Sequence, residues 1–144
     1  MPSFPSEEWF QAVQTVYNAD SSLHSGGGGA CDCVAGFRVG SEYYRIIFQG
    51  LECQEVGQSS ESDLEDADFI IEMEAATWRS MLEDIQAHGK ASSRFTLNSI
   101  DMGSEDSIAR SPIDDQYRQD LFYRYNQNFQ DFFDASSRIE STFK

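Results

Sequence analysis

The chain has 144 residues and sets 25 Asp and Glu against 10 Lys and Arg, a formal net charge of -15 with a pI near 4.2. Such a field repels phosphate backbones and anionic lipid headgroups, so nucleic acid is not an expected partner. Hydrophobic residues make up 40% and aromatics 13%, too much apolar character for intrinsic disorder, and the length suits a single domain over 1–144.

The opening "MPSFPSEEWF" has neither a basic n-region nor an apolar h-region. No apolar run approaches the roughly 20 residues that span a bilayer, so a cytoplasmic protein without stable membrane insertion is expected. Ser6 is placed to cap a helix, Glu7 and Glu8 suit its first turn, and Trp9, Val13, Val16 and Tyr17 recur at helical spacing, which predicts a helix from about Glu7 to Asp20. "HSGGGGA" (24–30) breaks it, because four consecutive glycines carry too much backbone entropy for regular structure. No Lys-Ser/Thr pair or helix start follows, so a phosphate-binding loop is disfavoured.

"CDCVAGFRVGSEYYRIIFQGLECQEVG" predicts an antiparallel meander of three strands, with Cys31, Cys33, Ala35, Phe37 and Val39 on one face and turns at Gly40-Ser41-Glu42 and Gln49-Gly50. The odd set of Cys31, Cys33 and Cys53 reads as buried thiols of a reducing compartment; a metal site with His24 is the weaker rival. "GQSSESDLEDAD" (57–68), with five carboxylates and no base, reads as a solvated loop lacking the ligand pattern of a calcium hand.

"DFIIEME" (68–74) predicts a fourth strand with Phe69, Ile71 and Met73 inward, and "TWRSMLEDIQAHG" a helix with a Trp78, Met81, Leu82, Ile85 stripe stopped at Gly89. "KASSRFTLNSIDMG" (90–103) fits either a strand, from the alternation of Phe95 and Leu97, or a short helix. Beyond Pro112 a long helix is expected from Asp114 or Asp115 to about Arg138. Its segment "DLFYRYNQNFQDFFD" puts six rings into fifteen residues. On a wheel Leu121, Tyr125, Phe129, Phe132 and Ser136 form a band that Phe122 and Phe133 widen at its edges, with Arg118 pointing into it. A band that wide must cover an apolar surface, and the sheet is the only large one the chain supplies.

In this order, helix, meander, acidic loop, strand, Trp-containing helix and closing amphipathic helix resemble the sterol carrier protein-2 (SCP-2) family. The resemblance is carried by "SEEWFQAVQTVYNAD", the hairpins through "YYRIIFQGLECQEV" and "ADFIIEMEAATWRSMLEDI", and it covers nearly the whole chain. These are architectural patterns rather than a catalytic signature. Family members usually place a Gly-flanked strand before the last helix, and "GKASSRFTLNSIDMGSEDSIARSPID" lacks that glycine pair. The resemblance implies an α+β fold, an antiparallel-rich five-stranded sheet covered by helices, with a hydrophobic pocket or tunnel for an acyl chain or sterol. Ligand-binding candidates are then Trp78 and Met81 of the second helix, Phe95 and Leu97 of the segment after it, and Arg118, Phe122, Tyr125, Phe129 and Phe133 of the last.

The sequence contains no nucleophile elbow, P-loop, HExxH or dinucleotide fingerprint, and no cofactor or metal is implied. Acid–base candidates are His88, Asp101 and Asp115, with Asp114, Tyr117 and Arg118 nearby in sequence. Each also has a structural explanation: His88 at a helix C-terminus, Asp114 and Asp115 at a helix start, Arg118 snorkelling from an apolar face. Arg118 alternatively anchors a ligand's carboxylate or hydroxyl. Three functions stay open: a carrier of a lipid, sterol or other large apolar molecule; a small cofactor-independent isomerase, hydratase, lyase or cyclase for a terpenoid, polyketide or steroid-like substrate; and an interaction domain whose aromatic helix packs on a twin in a homodimer.

Overall fold

The computed structural model describes residues 2–20, 22 and 31–143. The glycine run and His24 lie outside the described residues. Strand β1 (Ser3–Phe4) leads to helix α1 (Glu7–Ala19), where the Ser6 hydroxyl accepts from the Trp9 amide at 3.0 Å, the cap its sequence predicts. The buried face of α1 is Trp9, Phe10, Val13 and Tyr17, while Val16 is only partly buried.

Strands β2 (Cys33–Val39), β3 (Glu42–Gln49) and β4 (Glu52–Ser59) form the expected meander. Its turns rest on Gly40 and Gly50 at φ 62° and 64°, left-handed backbone that glycine adopts without steric cost. β4 is an edge strand, and α1 covers that edge. Asn18 donates to and accepts from the Cys53 backbone at 2.8 and 2.9 Å, Gln14 also donates to the Cys53 carbonyl, and the Glu7 carboxylate accepts from the Gln58 amide. Backbone groups that would otherwise template another strand are thereby paired.

A crossover (60–68) with a 3-10 turn at Ser62–Leu64 then leads to β5 (Phe69–Met73), which pairs in parallel with β2. Two expectations are corrected here. Residues 57–59 continue β4 rather than starting a loop, and Leu64 is fully buried, although its five carboxylate neighbours marked the stretch as solvated. Helix α2 (Ala75–His88) starts two residues before the predicted Thr77 and ends as predicted, with Gly89 at φ 85° and its amide donating to the Ile85 carbonyl at 2.8 Å.

The ambiguous stretch resolves as helix: α3 (Leu97–Met102) is capped by the Thr96 hydroxyl, which accepts from the Ser99 amide. The fifth strand, β6, is only Ala109–Arg110, paired antiparallel to β5. Helix α4 (Gln116–Asp134) follows the Asp115 cap and continues as a 3-10 turn over Ala135–Arg138. Strand β7 (Thr142–Phe143) pairs in parallel with β1, a contact for which two-residue strands give no periodic signal. The five-stranded sheet has the order β4-β3-β2-β5-β6. Its inner face, carrying Cys33, Ala35, Phe37, Val39, Ile46, Phe48, Phe69 and Ile71, packs with α1, α2 and α4 into one apolar core; the crossover lies on the outer face. No helix among the described residues is long and apolar enough to cross a membrane.

Candidate apolar ligand site

Between α4 and the sheet lies a layer of close-packed aromatic rings. Phe129 lies at its centre, its ring edge-on to Phe48, Phe69 and Phe37 at centroid distances of 5.0, 5.4 and 6.0 Å. Phe133 enters between α1 and α2, 5.2 Å from both Phe37 and Trp78 and 6.2 Å from Trp9. Phe132 meets Tyr17 and Phe48, and Phe122 meets Phe69 at 5.9 Å. Edge-to-face geometry of this kind adds about 0.5–1.5 kcal/mol per pair to simple burial.

Two details of the predicted band change. Phe122 and Phe133, expected at its edges, are fully buried, Phe133 because Trp9 of α1 and Trp78 of α2 flank it and Phe122 against Phe69 of the sheet; Leu121, expected at its centre, is only partly buried. Trp78 and Met81 are core residues, the Trp78 indole donating to the Arg38 carbonyl at 2.8 Å. Leu97 is buried beside α4, whereas Phe95 is partly exposed beneath the Arg94 guanidinium. Tyr125 is buried at the margin of the layer. Arg118 is half-exposed with its Nε 3.8 Å from the Asp115 carboxylate.

A polar face of α4 escaped the apolar pattern: Asn128, Gln130 and Asp131 are buried and Asp134 partly so. Gln130 accepts from the Leu97 amide at 2.7 Å and donates to Asp134, which also accepts from the Ala91 amide, so these two side chains dock the 91–97 segment onto α4. Burial pushes the Asp134 carboxyl above its ordinary range. The Tyr17 phenol is pushed up as well, by burial and then by the nearby charge of Asp131. The signal in the sequence was the i,i+4 spacing of Gln127 with Asp131 and of Gln130 with Asp134, both hydrogen-bonded in the structure.

The acid–base candidates hold loops and helix ends. Asp101 is buried and accepts from the Ser107 hydroxyl and the Ile108 amide at 2.9 and 2.8 Å, closing the turn after α3. Asp115 caps α4, Asp114 is exposed at φ 57°, and Tyr117 is 73% exposed. His88 is exposed with Nδ1 3.0 Å from Asp84, and Ser92 also bonds Asp84. That trio lacks the connectivity of a nucleophile, since the hydroxyl donates to the carboxylate instead of the imidazole.

No group of three or more His, Cys, Asp or Glu suited to a metal occurs among the described residues. Cys31, Cys33 and Cys53 are free and buried, with Cys31 Sγ 3.3 Å from Cys33 Sγ. The hydrogen bond with Cys31 and then burial push the Cys33 thiol up, and burial pushes Cys53 to about 12. A cleft of about 200 Å³ opens at the end of the ring cluster, lined by Phe4, Val39, Ala75 and Phe143.

No protein-family model and no curated protein matches the sequence. Two solved structures do match in fold. A crystal structure of sterol carrier protein 2 is 16% identical with a TM-score of 0.66, covering 94% of this chain and 98% of its own. The solution structure of a conserved hypothetical protein of Thermus thermophilus, described as possibly a sterol carrier protein, is also 16% identical, with a TM-score of 0.62 and coverage of 98% and 96%. The chain therefore has the SCP-2-like fold, an α+β architecture in which a five-stranded sheet carries its helices on one face.

Proposed function

We propose that the chain, acting as a single domain, binds a lipid, sterol or other large apolar small molecule between α4 and the sheet, with the first half of α4 as the wall that yields. The observation that carries this reading is the uneven burial of α4. From Asn128 to Phe133 every side chain is buried, whereas in the first half Phe122 alone is fully buried, Leu121 is partly exposed, and Tyr117 and Tyr123 are 73% and 48% exposed. Of the five large exposed hydrophobic side chains among the described residues, four (Met102, Ile113, Tyr117 and Tyr123) lie in or beside α3 and this half-helix. Apolar groups left in water at one end of a helix, next to a close-packed layer at the other, favour an apolar guest that enters at the loose end. The fold it shares with the sterol carrier protein 2 structure supports the same class of ligand.

On this reading Phe95, Leu97, Phe122 and Tyr125 line the entry, Trp78, Met81, Phe129 and Phe133 form the floor, and Arg118 meets a ligand's carboxylate or hydroxyl at the mouth. Binding needs no cofactor and no catalytic residue. Titration with a fluorescent fatty acid and a fluorescent sterol is expected to give saturable binding that unlabelled apolar competitors displace. Phe122→Ala is expected to change the ranking of those competitors. Absence of saturable binding across a broad apolar panel overturns the proposal.

A further inference from the structure

The outer face of the sheet carries a second, chemically different surface. Its rows run across the strands: Arg45, Gly36, Ile70 and Arg110 in one, Tyr43, Arg38 and Glu72 in the next. The crossover lies over this floor with Leu64 seated above Gly36, where a side chain would leave no room: a Cβ there would meet Leu64 Cδ1 at 2.8 Å. Carboxylates on both sides of that leucine reach guanidinium groups. Asp66 lies 2.9 Å from Arg45 and Glu61 lies 3.6 Å from Arg110. The Nε of Arg45 is buried with no hydrogen-bond partner among the described residues.

Open space continues on either side of the crossover. One cleft, of about 270 Å³, lies between Arg45, Ile47, Glu55 and Asp63; another, of about 550 Å³, lies between Glu61, Glu65, Ile70 and Arg110. The crossover therefore fills the middle of a longer groove. It is also longer than its path requires. From Ser59 to Phe69 the chain has ten Cα steps, a reach of roughly 33–36 Å, against roughly 18 Å for three strand spacings and an offset of three residues along the strands. It can lift from the groove without breaking the connection between β4 and β5.

We propose that this groove is a docking site for an acidic segment of a partner protein that bears one leucine-sized apolar residue between carboxylates, and that the crossover occupies it in cis. Charge complementarity selects the partner. Arg38 and Arg110 both pair with Glu72 of β5, so with the crossover lifted three guanidinium groups face one remaining strand carboxylate, and Arg45, freed from Asp66, has none among the described residues, in a chain that has only ten Lys and Arg in all. The Gly36 notch selects the apolar residue, and the pattern E-S-D-L-E-D of the crossover itself shows the register in which a partner would lie. A tethered competitor acts at an effective concentration of the order of mM, so docking in trans is weak until the crossover is released.

The test is fluorescence polarisation of a labelled peptide, ESDLEDAD, with the full chain at low salt. The Leu64→Ser variant is expected to bind it at least tenfold more tightly than the wild type. Adding Arg45→Glu is expected to remove binding, as is serine in place of the peptide's leucine. Absence of saturable binding to a Leu64→Ser protein with native circular dichroism overturns the proposal, and so does displacement of the peptide by tripolyphosphate as readily as by unlabelled peptide, which would mark a generic anion patch. If Leu64→Ser does not fold, amide shifts are followed in the wild type at mM peptide. Shifts at Val34, Gly36 and Arg45 support docking, and their absence refutes it.

Discussion

Replacing Phe129 by alanine tests whether the layer between α4 and the sheet is packed core. The ring is fully buried and stands edge-on to Phe37, Phe48 and Phe69. Phe→Ala in such a site costs about 3–5 kcal/mol from lost transfer energy and the cavity left behind. Three ring pairs at about 0.5–1.5 kcal/mol each place Phe129 at the upper end of that range. Leu121→Ala, at a partly exposed site on the same helix, should cost about 1–2 kcal/mol, since only part of its side chain leaves water on folding. Urea unfolding followed by circular dichroism measures both, and for a chain of this size the Phe129 loss corresponds to roughly 10–20 °C in Tm. Phe129→Leu, which keeps most of the volume, supplies a folded reference if the alanine protein is too unstable to isolate. A loss below about 1 kcal/mol for Phe129→Ala would refute the reasoning, because it would mean that the ring already borders empty space.

Two carboxylates should move stability in opposite directions with pH. Asp134 has its folded pKa raised by burial, so its contribution is intact below its unfolded value of 3.8 and is lost as pH rises through the folded value; Asp134→Asn is expected to be more stable than the wild type at pH 7 and equal to it near pH 3 by thermal melts. Asp84 is held low, chiefly by the hydrogen bond from the Ser92 amide, so its contribution is present above 3.8 and lost below; Asp84→Asn is expected to be less stable at pH 7 and to converge with the wild type in acid. The buried thiols should be unreactive: a disulfide reagent at pH 8 is expected to titrate all three cysteines in guanidinium and none within minutes in the native protein, and prompt native labelling would contradict their burial. Gly36→Ala should cost about 1–2 kcal/mol in urea, and less in a Leu64→Ala background, because the added methyl collides with Leu64; strict additivity of the two would show that they do not touch.

The elements legible in the sequence are those whose determinants are local. Ser6 and its two glutamates start α1, Gly89 stops α2, Gly40 and Gly50 set the hairpins, and the alternation from Cys33 to Val39 assigns the inner face of β2. What was not legible depends on partners far along the chain. Leu64 looks solvated beside its carboxylates because the notch that receives it is made by Gly36, on a strand 28 residues earlier. Strands β1, β6 and β7 have two residues each and exist through Phe143, Ile71 and Phe4 across from them, too short for any period to show. The same holds within the candidate site. The helical wheel found the ring band but centred it wrongly, since it assumed one flat surface, whereas Phe133 fits between Trp9 and Trp78 on two other helices. The i,i+4 spacing pairs Gln130 with Asp134, but it gives no sign that the two dock the backbone amides of Leu97 and Ala91.

A close-packed aromatic layer and an apolar guest are compatible only if binding exchanges one set of apolar contacts for another. A sterol or acyl chain needs a site of roughly 300–1,000 Å³. Rings at 5–6 Å centroid spacing between α4 and the sheet offer no such volume without displacement. Displacing the second half of α4 would expose Phe129, Phe132 and Phe133 together, at about 1.5–3 kcal/mol or more apiece, a loss comparable to the whole stability of a small protein. Displacing the first half releases one fully buried ring, Phe122, along with Tyr125 and part of Leu121, which is within what a ligand burying a few hundred Å² of its own apolar surface returns at about 25 cal/mol per Å². For the proposed binding, the smaller cost therefore favours an opening at the N-terminal half of α4, where Tyr117, Tyr123 and Ile113 already face water and would gain by being covered. On the proposed reading the net affinity is a small difference between two similar burial terms, so ligand selection would rest on how well a guest replaces the contact between Phe122 and Phe69 rather than on the total area it covers.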